Sequence, residues 1–205
     1  MAPDHTRVPS PDFPDTDKAE LRRRARSIRN AISPEQRASD AERVAALGLP
    51  AFAGPPGVLA GYYPTPSEFD PLPLIARLAR EGWAITLPVI MGDVPLVFRR
   101  WQAGEPLMRG PRAIMEPAAG DALRPAVLLV PLLAFDARGA RLGYGGGHYD
   151  RTLEALRGSG DPVIAIGLAF DMQEMPQLPV DRHDQRLDGI LTPSGGRRFD
   201  DEQQG

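Results

Sequence analysis

Cysteine is absent from the 205 residues, which excludes disulfides and thiolate chemistry and agrees with a cytoplasmic location. An excess of basic charge is also missing. The formal net charge of −3 argues against a general nucleic-acid binder. Residues 1–17 hold no apolar stretch, so no signal peptide is visible. The longest apolar run, 126–135, is too short to span a bilayer and contains Pro131. There are three histidines, none at helical or turn spacing from another, so a transition-metal site built on His148, His183, Asp150 and Asp184 is disfavoured.

What remains suits one α/β domain with a substantial core. Residues 1–17 are proline-rich and polar and are expected to be disordered. Asp17 reads as a helix N-cap with Glu20 closing a capping box. The helix carries Leu21, Ala25, Ile28 and Ile32 on one face and Lys18, Arg22, Arg26 and Arg29 on another. Ser33-Pro34-Glu35-Gln36 starts a second helix, which runs to about Leu47 and stops at Gly48. Strands are expected at 58–61, 84–87, 95–98, 126–131, 163–167 and 189–192, with helices at 71–81 and 149–157. The alternation predicts a three-layer α/β fold, a mostly parallel sheet with helices on both faces. The domain spans 18–194, and 195–205 reads as a flexible tail.

The most informative segment is Arg141-Leu142-Gly143-Tyr144-Gly145-Gly146-Gly147-His148-Tyr149-Asp150-Arg151. Four glycines in five positions leave backbone N–H groups bare for a polyanion. Arg141 supplies a guanidinium, and Asp150 a carboxylate suited to a metal. The pattern lacks the lysine of a Walker A loop and the Gly-x-Gly-x-x-Gly spacing of a dinucleotide fold. The glycines alone would also suit a surface turn; the flanking charges favour phosphate.

Three other features could join it. Lys18 and Arg22 suit phosphate oxygens, although a solvated arginine face is the plainer reading of that helix. Tyr62-Tyr63-Pro64-Thr65-Pro66-Ser67-Glu68 could form a pocket for a flat heterocycle with NH groups, or a rigid turn. Asp184, in the charged run 178–188, could pair with Asp150 around Mg²⁺, or lie in a simple charged loop. Glu116-Pro117 after Arg109-Gly110 is weaker and reads equally as a turn.

Together these residues resemble the 5-formyltetrahydrofolate cyclo-ligase family. The likeness runs from about Lys18 to Thr192. It rests on Lys18-x3-Arg22, Tyr63 with Glu68, Gly110…Glu116-Pro117, Phe135-Asp136…Gly139 with the glycine block, and Pro179…His183-Asp184…Asp188…Thr192. The resemblance implies ATP- and Mg²⁺-dependent closure of 5-formyltetrahydrofolate to 5,10-methenyltetrahydrofolate, with release of ADP and phosphate. It also implies site roles. Lys18, Arg22, Arg141, Leu142, Gly143, Tyr144, Gly145, Gly146, Gly147 and Tyr149 would hold the nucleotide, and Asp150 and Asp184 the metal. Tyr63, Glu68 and His148 would bind the folate, with His148, Asp150 and Arg141 carrying catalysis. Many members have Tyr or Phe where this chain has His148, a position near the formyl group in the family. No membrane, nucleic-acid or protein partner is implied, and a monomer is expected.

Two other readings compete. A catalytically silent relative would bind nucleotide or folate as a regulator. A sugar-phosphate isomerase on a similar scaffold would use the same loop without ATP.

Overall fold

The computed structural model describes residues 18–199. The expected disordered extension and the Asp17 cap lie outside these residues. Helix α1 covers Lys18–Asn30 and α2 covers Pro34–Leu47. The Ser33 side chain accepts from the Gln36 amide at 3.2 Å, and Gly48 closes α2 with φ +76. Strand β1 (Val58–Ala60) leads to α3 (Leu72–Arg80), then to β2 (Ala84–Val89) and β3 (Val97–Arg100). A small hairpin follows, β4 (Leu107–Arg109) with β5 (Met115–Pro117). Next come β6 (Val127–Pro131) and a second hairpin, β7 (Ala134–Phe135) with β8 (Arg141–Leu142). Helix α4 (His148–Gly158), β9 (Ile164–Leu168), β10 (Gly189–Thr192) and β11 (Gly195–Arg198) complete the chain.

Seven strands form one sheet in the order β11-β10-β9-β6-β1-β2-β3. The five central strands are parallel; the two edges, β3 and β11, are antiparallel. The central strands carry buried side chains on both faces, as parallel sheets require. In β6, Val127 and Leu129 join the core under α2 and α3, while Leu128 and Val130 join the core under Leu153 of α4. That alternation follows from the two-residue period of a strand. A third cluster packs Ala25 of α1 against Leu133, Ala134, Ala140 and Leu142 of the second hairpin.

The expected flexible tail needs correction over its first four residues; 200–205 lie outside the described residues. Gly195–Arg198 is an edge strand whose register runs Gly189 to Arg198 and Thr192 to Gly195. Its glycines serve close packing: a Cβ on Gly196 would lie 2.5 Å from Pro50. The two small hairpins also depart from expectation. The glycine block does not leave β6 directly; β7 and β8 intervene and carry Arg141 to its place.

Read along the parallel strands, the order is β2-β1-β6-β9-β10. The chain steps from β1 outward to β2, then returns to β6 on the other side of β1. Loops that leave β1 and β6 therefore diverge and open a crevice at the carboxyl ends of those strands. Open α/β sheets bind ligands at such a switch point.

Candidate active site at the sheet switch point

A cleft of about 530 Å³ occupies this crevice. It is lined by Tyr62 and Tyr63 after β1, Pro88 and Ile90 at the end of β2, and Pro131 at the end of β6. Every residue to which the family resemblance gives a site role borders it. These are Lys18, Arg22, Tyr63, Glu68, Arg141, Leu142, the run Gly143 to Gly147 with Tyr144, His148, Tyr149, Asp150 and Asp184. All four tyrosines of the chain are in the lining.

One wall is made of charge and bare backbone. The loop from Gly143 to Gly147 joins β8 to α4, with Gly145 at φ +94 and Gly147 at φ +64 as the residue before the helix. Both angles favour glycine. Helix α1 docks on the loop: the Arg22 Nε–H donates to the Gly143 carbonyl at 3.1 Å. The basic face of α1 thus looks into the cleft, with Lys18, Arg22 and Arg26 along it. Arg29 departs from that pattern. It is buried, donates to Ser67 Oγ at 2.8 Å and to the Tyr144 hydroxyl, and stacks over the Tyr144 ring. It ties α1 to the opposite wall.

The cations of this wall are paired with its carboxylates. Lys18, the only lysine in the chain, donates to Asp181 at 2.6 Å and to Asp184 at 2.7 Å. Burial works against its charge, but these two bonds outweigh it and hold the ammonium above its ordinary value. Arg141 donates to Asp150 at 2.5 Å and to the Gln185 carbonyl. Burial pulls its guanidinium below the ordinary value, and Asp150 opposes that pull. The Gln185 amide also donates to Asp150, at 3.0 Å, which brings the Asp184 loop beside the start of α4.

The buried Asp136 carboxylate explains how this loop is held. It accepts from the Ala140 amide at 3.1 Å within the second hairpin and from the Leu178 amide at 3.0 Å. One side chain therefore joins the hairpin that carries Arg141 to the loop that carries Asp181 and Asp184.

The facing wall holds one carboxylate among phenols. Glu68 accepts from the Thr65 amide at 2.7 Å in its own turn. Burial, and next the Glu68 charge, push the hydroxyls of Tyr62, Tyr144 and Tyr149 above their ordinary values. All three therefore stay protonated at neutral pH. The Tyr149 hydroxyl is shielded from solvent and has no hydrogen-bond partner among the described residues. Such a group asks for a polar atom on a ligand.

Glu116 has a place at the edge. Its carboxylate accepts from the Ile90 amide at 2.9 Å and tethers the first hairpin to the end of β2. A Cβ on Gly110 would lie 2.2 Å from that carboxyl group, so a larger residue there would push the carboxylate from its place. The hydrophobic side of the cleft, Ile90, Leu96 and Ile114, went unnoticed in the sequence. Only their fold positions mark them out.

Among the described residues no three His, Asp or Glu side chains assemble into a metal cage. Asp150 and Asp184 nevertheless border a cradle of cations and bare amides. Mg²⁺ commonly takes one or two carboxylates and completes its octahedron with phosphate oxygens and water, so this donor set fits it.

The family model for the 5-formyltetrahydrofolate cyclo-ligase family matches residues 14–193. The chain is 35% identical over 180 residues to the 5-formyltetrahydrofolate cyclo-ligase of Escherichia coli K12, covering 82% of this chain and 96% of that protein. It is 32% identical over 151 residues to the enzyme of that name from Mycolicibacterium smegmatis, covering 67% and 74%. The NMR structure of 5,10-methenyltetrahydrofolate synthetase from Aquifex aeolicus superposes with a TM-score of 0.75 at 30% identity, covering 92% of this chain and 95% of that one. A synthetase from Mycoplasma pneumoniae, at 20% identity and a TM-score of 0.67, shares the fold; it covers 87% of this chain and 99% of its own. With a family match spanning most of its length and a relative 35% identical over most of both chains, this chain belongs to the 5-formyltetrahydrofolate cyclo-ligase family.

Proposed function

We propose that this protein closes 5-formyltetrahydrofolate to 5,10-methenyltetrahydrofolate at the expense of ATP, releasing ADP and phosphate. The observation that carries the reading is one cleft with two chemically different walls. One presents cations, carboxylates and bare amides; the other presents a single carboxylate, Glu68, toward which Tyr144 and Tyr149 of the first wall are turned.

The chemistry needs both walls. The formyl oxygen attacks the γ-phosphorus, an O–P bond forms, and ADP leaves. N10 then attacks the formyl carbon and gives up its proton. The C–O bond breaks, phosphate departs with the electron pair, and a cyclic methenyl cation remains. No covalent enzyme intermediate is involved, so the protein contributes positioning and charge neutralisation.

In this reading Lys18, Arg22, Arg141 and the amides of Gly143 to Gly147 hold the triphosphate, flanked by Leu142, Tyr144 and Tyr149. Asp150 and Asp184 would hold Mg²⁺, which neutralises charge on the phosphates. Glu68 accepts hydrogen bonds from the pterin ring nitrogen and amino group, and Tyr63 lies against the ring. The Tyr149 hydroxyl gains the partner it lacks.

The test is direct. Purified protein with 5-formyltetrahydrofolate and MgATP is expected to generate the absorbance of methenyltetrahydrofolate, and none without ATP. Nucleotide binding with no product would favour a silent relative. Absence of both product and nucleotide binding would sink the reading.

A further inference from the structure

We infer that Arg151 fixes the tautomer of His148, a residue of the cleft wall, so that the proton of the neutral ring sits on Nε2.

The Arg151 Nη2 group has two hydrogens. One goes to the Gly146 carbonyl at 2.9 Å; the other is directed at His148 Nδ1 at 3.2 Å. Arginine can donate and cannot accept. Nδ1 must therefore offer its lone pair, and the ring proton belongs on Nε2. A ring protonated at both nitrogens would set two donors against each other. The partner of one imidazole nitrogen decides the tautomer at the other.

The surroundings hold both partners in place. The His148 carbonyl accepts from Thr152 Oγ1 at 2.6 Å, and the Thr152 hydroxyl in turn accepts from the Leu96 amide at 2.9 Å. The buried threonine thus locks the backbone that carries the imidazole. Gly147 lets the guanidinium pass: at φ +64, a Cβ there would lie 2.7 Å from Arg151 Nη1. His148 Nε2 is shielded from solvent in the wall of the cleft.

A donor there suits an oxygen of the bound ligand. Taking that oxygen to be the formyl oxygen rests on the proposed reaction; the tautomer does not. Arg151 is therefore a positioning residue that acts through His148.

The test uses full-length protein labelled with ¹⁵N-histidine, without ligand, at neutral pH. His148 is assigned by loss of its signals in His148→Phe. The expected spectrum shows a proton on Nε2 and a pyridine-like Nδ1. Arg151→Lys, which keeps a donor, should preserve that pattern; Arg151→Met should mix the tautomers. A proton on Nδ1 in the wild type, or an unchanged spectrum in Arg151→Met, would overturn the inference. Kinetics supply the second arm. Losing one oriented hydrogen bond should raise the KM for 5-formyltetrahydrofolate about tenfold in Arg151→Met. In a His148→Phe background the same change should cost less than about twofold, as coupled residues require. Equal effects in both backgrounds would show that Arg151 merely supports the loop. Because the spectrum needs no substrate, failure of the proposed reaction and failure of this inference are separable.

Discussion

The two walls of the cleft solve opposite electrostatic problems. On the glycine-loop side, cations and carboxylates neutralise each other: Lys18 with Asp181 and Asp184, Arg141 with Asp150. On the other side Glu68 stands beside Tyr62 and faces Tyr144 and Tyr149 of the glycine-loop side, all three phenols held protonated by burial and by its charge. The difference teaches how each wall must bind. In the proposed reaction the first would exchange partners, its cations turning to phosphate and its carboxylates to a metal. The second would receive N–H donors on a neutral ring.

The comparison breaks most sharply at Asp150. In Asp150→Asn the amide oxygen still accepts from Arg141 and from Gln185, so the fold should persist. The charge that would balance a metal is gone. Turnover is expected to fall about a hundredfold or more, the scale of losing one preorganised electrostatic group. A steady-state assay beside a melting curve checks both halves.

Glu68→Gln should strike the other wall alone. The KM for the folate is expected to rise at least about tenfold, since a charged acceptor becomes a neutral one. The KM for ATP should stay within about twofold, which initial rates against each substrate would show.

Next in size is Gly147→Ala. The left-handed backbone costs a residue with Cβ about 1–2 kcal/mol. The methyl group would also displace the Arg151 guanidinium. Denaturant unfolding should show that loss without a change in slope.

The smallest effect belongs to the rim, where Asp181 is 71% exposed. Asp181→Asn should cost under about 1 kcal/mol, because solvent screens such pairs. The pH dependence has a definite sign. Hydrogen bonding and charge from Lys18 hold the Asp181 carboxyl below its ordinary 3.8. Its contribution is present above that value and is lost as pH falls through the lowered one. Lys18 is held above 10.5, so its contribution is present below that value and is lost as pH rises through the raised one. Wild type and variant should therefore differ in stability between about pH 4 and 10 and converge at acid pH, as melting curves across that range would show.

These walls were legible in the sequence to different degrees. The glycine block announced itself because bare amides between an arginine and an aspartate have few other uses. Capped helices and doubly buried strands were equally readable, as Ser33 before α2 and the run through β6 show. Two-residue strands such as β7 and β8 leave no room for a period to show. Strand β11 carries no apolar face, only backbone pairing and glycines that fit against Pro50. Arg29 looked like one more member of a basic face, yet burial against Tyr144 and Ser67 gives it a structural task. The opposition of Glu68 and the glycine loop comes from strand order alone, which no local pattern encodes.

The independence of the two walls is best measured by calorimetry on full-length wild type, Glu68→Gln and Asp150→Asn. Each would be titrated separately with Mg²⁺ and a non-hydrolysable ATP analogue, and with 5-formyltetrahydrofolate. A crossed result is expected: Glu68→Gln keeps the nucleotide affinity and loses the folate, and Asp150→Asn does the reverse. If either variant, still folded, lost both ligands together, the division of the cleft into a phosphate wall and a heterocycle wall would be wrong.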